Sequence, residues 1–127
     1  MISSADLIAI HELLIAELGG MRGITEAGFG RLEGVVAAPL GSAFGAALFP
    51  GAVGKAAALC YAIVRTHPFS DGNKRVGLVV LDVALAQSGH TLTATNDAAY
   101  AAIMAVAQGK MSRDDLITWA ENASVEF

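Results

Sequence analysis

A short polar stretch in the middle of the sequence, HPFSDGNKR at residues 67–75, carries most of the residue types that could do chemistry. His67 is a candidate general base, because an imidazole can take a proton near neutral pH. Asp71 is a candidate ligand for Mg²⁺, which keeps several of its waters and takes only one or two protein carboxylates beside a bound phosphate. The stretch therefore predicts a base and a metal-holding carboxylate close together in the chain.

The residues that follow Asp71 are suited to binding phosphate. Gly72 lets the backbone approach a ligand closely, Asn73 has a side-chain amide that can donate, and Lys74 and Arg75 add positive charge. A helix is predicted to begin here, and the free N–H groups and positive dipole end of a helix N-terminus attract anions. Two cations at that end are unfavourable by about 0.3–1 kcal/mol each unless an anion is bound there.

Arg65 precedes the stretch, so that three of the eight basic residues fall between positions 65 and 75. A base, a carboxylate and a phosphate cradle are the parts of a phosphoryl- or nucleotidyl-transfer site. Residue chemistry alone leaves the plainer alternative open: a structural histidine, an ordinary Asp-Gly-Asn turn and a solvated Lys-Arg pair. Phe69 is predicted to point into the core and hold the loop in shape.

Helices are predicted to position these residues, with one all-α domain over residues 1–127. The helix after the motif is apolar on nearly every face, so it is predicted to be central and buried. Residues 39–50 support no assignment beyond one short helical turn, and residues 90–95 predict a short strand. The periodicity predicts about six helices. The first covers residues 5–18 after a cap at Ser3 or Ser4, and the next three cover residues 28–37, 52–66 and 74–88. The fifth is capped by Asn96 or Asp97 and ends at residue 108, and the last begins with a capping box of Ser112 and Asp115 and ends at residue 122.

Other polar or aromatic residues are interpreted as structural. His11 is expected on the polar side of the first helix, and Cys60 as a small buried residue. Tyr100 and Trp119 are expected in the core or on a partly exposed surface. Asp82 is unusual in an apolar helix, and two interpretations stay open: a bond to a polar neighbour, or a position facing the nucleotide site.

Composition excludes several classes of protein. A net charge of −4 argues against direct nucleic-acid binding, which needs a basic face. The longest uncharged run, between Glu33 and Lys55, is too broken by proline and glycine to predict a membrane span. The N-terminal residues lack the basic start of a secretory signal, and a single cysteine excludes an internal disulfide. A cytoplasmic protein is therefore predicted.

The stretch resembles the signature of the Fic/Doc family, His-x-Phe-x-Asp/Glu-Gly/Ala-Asn-x-Arg. Lys74 in the variable slot is typical of the Doc (death-on-curing) branch, whereas AMP-transferring Fic proteins usually have glycine there. Those proteins also carry a second arginine three residues after the first, where this sequence has Leu78. The early GGMRGI stretch, the helix before the motif, the short chain and the final SRDDLITWAENA helix also resemble Doc toxins.

The resemblance implies a role for each matching residue. His67 would be the general base on the hydroxyl that receives phosphate, and Asp71 would hold Mg²⁺. Arg75 would act with these two in catalysis. The phosphates of ATP would be held by residues at the start of the helix, with one assisting residue before the motif: Gly72, Asn73, Lys74, Arg75 and Arg65.

Doc toxins transfer the γ-phosphate of ATP to a threonine of elongation factor Tu and so block translation, and the resemblance implies this kinase activity here. It also implies inhibition in trans by a cognate antitoxin, because the nearest match to a built-in inhibitory helix, Thr118–Asn122, is one residue short. The apolar region 34–54 is a candidate groove for that partner, and ordinary core and loop structure is the favoured interpretation for most of its residues. Two alternatives remain: AMP transfer to a protein hydroxyl, and a non-catalytic nucleotide- or protein-binding module.

Overall fold

The computed structural model of the protein describes residues 2–127, and helices dominate that range. The predicted all-α class is confirmed, and the helix bounds lie within a residue or two of those predicted from periodicity. A 3₁₀ turn at Ala38–Leu40 follows the second helix. The α-helices of the described residues are α1 (Ser4–Leu18), α2 (Gly28–Ala37), α3 (Ala52–Thr66), α4 (Asn73–Gln87), α5 (Asn96–Ala107) and α6 (Arg113–Asn122).

Four short strands form two small antiparallel pairs. Strands β1 (Ser42–Ala43) and β2 (Ala46–Ala47) make a hairpin inside the region that the sequence left unassigned. The predicted strand at residue 90 is β3 (His90–Leu92), and it pairs with β4 (Ser124–Glu126). The sequence did not predict β4, because three residues after a helix form a strand only when a distant partner supplies the hydrogen bonds. No helix within residues 2–127 has the length and apolar character needed to cross a bilayer.

Side-chain caps fix where the helices begin. Ser3 and Ser112 each form a reciprocal capping box with the residue three positions on, as predicted for Ser112. The predicted cap of α5 was wrong: Thr95 caps that helix, and its hydroxyl accepts the Ala98 N–H at 3.1 Å. Thr95 can do so because its backbone is extended, the conformation that an N-cap residue adopts.

Helices α3 and α4 form the centre of the fold. One buried cluster joins them to α5 and α6, and a second joins them to α1, α2 and Phe69. Helix α4 also contacts α1, α5 and β3. Its central place is therefore as predicted, although Asp82 and the last residues of the helix are exposed. Because both clusters share the α3–α4 pair, the connection between these two helices lies at the end of the best-packed part of the protein.

A glycine lets α3 and α4 approach closely. A Cβ atom at Gly77 would lie 2.7 Å from Cγ2 of Val64, far inside normal carbon–carbon contact. Val64 is fully buried and β-branched, so its side chain has little freedom to move aside. The close crossing of the two central helices therefore depends on the missing side chain at Gly77.

We expect Gly77→Ala to destabilise the protein by about 1 kcal/mol, since overpacking costs about 1–3 kcal/mol and the gain in helix propensity returns only about 1 kcal/mol. Gly34→Ala is the matched control, because an added Cβ in α2 would have no atom within 4 Å. That variant should be stabilised by up to about 1 kcal/mol. Urea denaturation measures both, and stabilisation by Gly77→Ala would contradict the close crossing.

Candidate functional site

The motif stretch forms the connection between α3 and α4, and it begins with a strained residue. α3 ends at Thr66 because His67 adopts the left-handed conformation, with φ 51° and ψ 62°. The following Pro68 disfavours a helical conformation at His67, so the chain turns there. A residue with a side chain pays about 1–2 kcal/mol for this backbone conformation. His67 is exposed, and its carbonyl oxygen accepts a hydrogen bond from Nη1 of Arg31 at 3.2 Å.

Backbone hydrogen bonds tie the motif loop to residues 20–25, here named the strap. The N–H of Ser70 donates to the carbonyl of Gly23, and the N–H of Thr25 donates to the carbonyl of Pro68, both at 3.0 Å. The Thr25 hydroxyl donates to the same Pro68 oxygen at 3.2 Å. The loop therefore has an antiparallel partner along its length, supplied by a segment that lies far away in the sequence.

Phe69 and Asn73 hold the loop from the inside. Phe69 is 1 % exposed, as predicted for an anchor, and its backbone forms an antiparallel bridge with Ile24 of the strap. The Asn73 side-chain amide forms two hydrogen bonds with the backbone of Phe69. Its Oδ1 accepts the Phe69 N–H at 3.1 Å, and its Nδ2 donates to the Phe69 carbonyl at 3.0 Å. Asn73 therefore closes the turn that leads into α4.

The Asp71 carboxylate is held by two backbone N–H groups, one on each oxygen. Met21 of the strap donates to Oδ2 at 3.1 Å, and Gly72 donates to Oδ1 at 2.8 Å. These two hydrogen bonds, the Met21 one first, lower the pKa of Asp71, and the charge of Arg75 adds to the effect. The carboxylate is exposed and ionised at neutral pH, so it presents a fixed negative charge.

A glycine in the strap makes this contact possible. Gly20 has φ +117°, which side chains rarely tolerate, and a Cβ there would lie 2.7 Å from Oδ2 of Asp71. Gly20 thus allows the strap to pass directly beside the carboxylate. This close approach gives a physical reason for glycine at position 20 of the GGMRGI stretch.

A cavity of about 380 Å³ opens at the start of α4, lined by residues 71–75, by residues 18–20 and by Tyr100. Gly72 is the N-cap of α4, with φ 78°, and no side chain caps the helix. The first N–H groups of α4 and the side chains of Lys74 and Arg75 therefore surround a space that suits an anion. The structure brings Asp71, Gly72, Asn73, Lys74 and Arg75 together at this cavity.

Two of the residues expected at the phosphates have additional contacts. Nη1 of Arg65 donates to the carbonyl oxygens of Val106 and Ala107, at 3.2 and 3.5 Å, and so caps the end of α5. The Asn73 amide, expected to donate to phosphate, is engaged by Phe69 through both its oxygen and its nitrogen. Both residues therefore support the loop and helix geometry, whatever they contact in a ligand.

The sequence misplaced His11, and it gave Tyr100 a partly exposed position, which the structure bears out at 39 % exposure, but not a place at the cavity. The expectation that His11 lies on the polar side of α1 was wrong: it is 3 % exposed, stacks on Phe69 and contacts the main chain of Asp71. Tyr100 lines the cavity beside Lys74. No local signal marks either position, because His11 contacts a loop distant in sequence and Tyr100 lines a cavity formed mainly by distant residues. Asp82 is exposed on α4, where partial desolvation raises the pKa of its carboxyl.

The Asp71 carboxylate fits Mg²⁺ shared with a phosphate. Mg²⁺ usually keeps several waters and binds through one or two carboxylates together with phosphate oxygens, and Asp71 offers one ionised, exposed carboxylate at the edge of a cavity suited to phosphate. Across residues 2–127, no group of three or more His, Cys, Asp or Glu side chains is arranged to hold a metal ion.

Comparison with known proteins gives one family match. Residues 1–85, which include α1 to α3, the motif loop and most of α4, match the profile described as Fic/DOC family. No curated protein matches the sequence at a significant level. The matched region contains every motif residue discussed above, whereas α5, α6 and Tyr100 lie outside it.

The strain at His67 predicts an unusual response to glycine. We expect His67→Gly to be more stable than His67→Ala by about 1 kcal/mol, because glycine adopts the left-handed conformation without a steric penalty. The matched control is His90, in strand β3, where glycine should be less stable than alanine by about 0.5–1 kcal/mol. Thermal unfolding of the four variants measures both differences in stability. If the glycine variant were the less stable one at both positions, the strain at His67 would be contradicted.

The strap contact predicts a shift in the titration of Asp71. We expect Gly20→Ala to raise the pKa of Asp71 toward that of an ordinary aspartate, because the new Cβ pushes the Met21 N–H away from Oδ2. In the wild type, the lowered pKa stabilises the fold above the pKa of the unfolded chain, and this stabilisation is lost as the pH falls through the folded pKa. The variant should therefore lose less stability on acidification.

Carboxyl ¹³C NMR titration measures the pKa of Asp71 directly. Gly19→Ala is the matched control, since Gly19 also has a positive φ, of +80°, but a Cβ there would have no atom within 4 Å. An unchanged Asp71 pKa in Gly20→Ala, or an equal change in both variants, would contradict the role of the strap.

Proposed function

The chain belongs to the Fic/DOC family, and from this premise we propose that it is a Doc-type protein kinase and the toxin of a toxin–antitoxin pair. Members of the family generally transfer phosphate or nucleotide groups to proteins. The proposed reaction transfers the γ-phosphate of ATP to a threonine hydroxyl of elongation factor Tu, as the resemblance to Doc toxins implies.

The observation that carries the proposal is the cavity at the uncapped start of α4. It combines free backbone N–H groups, the cations Lys74 and Arg75, and the ionised carboxylate of Asp71. The two cations are unfavourable beside the positive end of a helix dipole, and the single nearby carboxylate of Asp71 offsets only part of this repulsion. A polyanion such as ATP would offset the rest of this repulsion, and this supports the proposal that the cavity binds phosphates.

The proposed mechanism assigns each residue one task. Lys74, Arg75 and the first N–H groups of α4 hold the phosphates of ATP, and Asp71 would hold the Mg²⁺ that neutralises their charge. His67 accepts the proton of the threonine hydroxyl, whose oxygen forms a bond to the γ-phosphorus. The bond from the γ-phosphorus to the bridging oxygen breaks at the same time, and ADP leaves.

Two positions favour phosphate transfer over AMP transfer. Lys74 stands where AMP-transferring relatives usually have glycine, and Leu78 stands where they usually have a second arginine. Leu78 is half-buried and packs against the core of α3, α5 and α6. The second turn of α4 therefore supplies an apolar contact at that position, and the phosphates are held by cations of the first turn alone.

The proposed partners are elongation factor Tu as substrate and an antitoxin that binds in trans. The region expected to meet the antitoxin, residues 34–54, carries three large apolar side chains that are exposed: Leu40, Phe44 and Leu48. Phe44 lies at the tip of the β1–β2 hairpin in a left-handed conformation, φ 52°. A partner that covers these side chains would remove apolar surface from water, which favours association.

We expect purified protein to transfer label from γ-labelled ATP to elongation factor Tu, and His67→Ala to lower the rate about 10²–10⁴-fold, the usual contribution of a general base. His90→Ala is the matched control, because His90 lies in β3 and is assigned no role in the transfer. Autoradiography of the separated proteins measures the transfer, and the same variants expressed in cells test for growth arrest.

Other outcomes identify the alternatives. Label from the α-position on the target would assign AMP transfer and contradict the kinase. The absence of transfer from either position, together with no binding of Mg²⁺ and ATP, would overturn the proposed activity and favour a non-catalytic binding module. Growth arrest that persists with His67→Ala would contradict a toxin that acts through this site.

A further inference from the structure

His11 of α1 contacts the motif loop at two points. Its ring stacks on that of Phe69, with centroids 4.1 Å apart and planes inclined by 7°. Its Nε2 lies 2.9 Å from the carbonyl oxygen of Asp71. A carbonyl oxygen can only accept, so Nε2 carries the proton and donates it. The side chain is 3 % exposed and the hydrogen bond is partly buried, on the inner side of the loop.

This hydrogen bond fixes the orientation of the peptide group between Asp71 and Gly72. The carbonyl of Asp71 and the N–H of Gly72 belong to the same planar trans peptide, so they point in opposite directions. His11 holds the oxygen inward, and the N–H therefore points outward, where it donates to Oδ1 of Asp71 at 2.8 Å. The orientation of His11 thus determines where one of the two donors to the carboxylate lies.

The ring also lies beneath the N-cap of α4. A Cβ atom at Gly72 would be 3.9 Å from Cδ2 of His11, which is ordinary contact distance. Gly72 itself has φ 78° and no side chain, so it makes no side-chain contact that could hold this conformation. The contact with the His11 ring therefore supports the loop at a residue that has no side chain to do so.

The geometry points to His11 as a positioning residue of the proposed phosphate-transfer site, one that acts by holding the Asp71–Gly72 peptide and, through its N–H, the carboxylate that would hold the metal. This inference rests on the proposed function. His11 thereby gives α1 a role in the site. Packing in the core does not explain a histidine at this position, since an apolar ring of similar size would fill the same space.

Two substitutions separate the hydrogen bond from the packing. His11→Phe keeps an aromatic ring against Phe69 and removes the donor, whereas His11→Gln keeps an N–H donor and removes the ring. His90→Phe is the matched control, because Nδ1 of His90 makes a similar contact, 3.0 Å from the carbonyl oxygen of Ser88, outside the site. Circular dichroism and thermal unfolding check that each variant is folded.

The experiment measures Mn²⁺ binding by electron paramagnetic resonance in the presence of the non-hydrolysable analogue AMP-PNP, so that it does not depend on turnover. We expect His11→Phe to weaken Mn²⁺ binding about 10–100-fold, the usual effect of losing a residue that orients a ligand. His11→Gln should recover most of the affinity, and His90→Phe should match the wild type. If His11→Phe does not fold, His11→Met replaces it as the variant without a donor.

The outcomes distinguish this inference from the proposed function. Wild-type protein that fails to bind Mn²⁺ with AMP-PNP would overturn the proposed function and this inference with it. Wild-type binding that a folded His11→Phe or His11→Met variant retains in full would overturn the positioning role alone. Equal losses in the Gln and Phe variants would also overturn it, because restoring the donor would then have no effect.

Discussion

The site depends on one constraint: the Asp71 carboxylate needs two backbone N–H groups that come from different parts of the chain. One belongs to Gly72, the next residue, and the other to Met21, which is 50 positions away. A backbone donor can be placed this closely only where the chain has no side chain in the way. Gly20 satisfies that requirement in the strap, and the remaining hydrogen bonds between strap and loop keep the two segments in register.

The well-packed helices and the strained loop depend on one another. His67 in a left-handed conformation and two cations at a helix N-terminus are each unfavourable. They persist because the loop joins α3 and α4, whose burial in both apolar clusters fixes its two ends. Unfavourable local features that the surrounding fold maintains are a common property of functional sites.

The sequence predicted features that depend on neighbours along the chain and missed those that depend on distant contacts. Helix bounds and the capping box at Ser112 follow from local periodicity and caps, so they were predicted well. The burial of His11 and the place of Tyr100 at the cavity were not, because the sequences of α1 and α5 carry no mark of the distant residues beside them in the fold. The β1–β2 hairpin is local and was missed for a different reason: each of its strands has only two residues, too few to show an alternating pattern.

The motif residues divide into those that the fold explains and those that it does not. Phe69 and Asn73 are buried and bonded to one another, so the folding of the loop accounts for both. His67 and Arg75 are exposed, and the fold gains nothing evident from an imidazole or a guanidinium at those positions. Asp71 lies between these groups: the strap holds its carboxylate, but it holds it facing a cavity. Asp71 and Arg75 line the cavity and His67 is exposed before it, so these three side-chain types are the ones that the proposed phosphate transfer would explain.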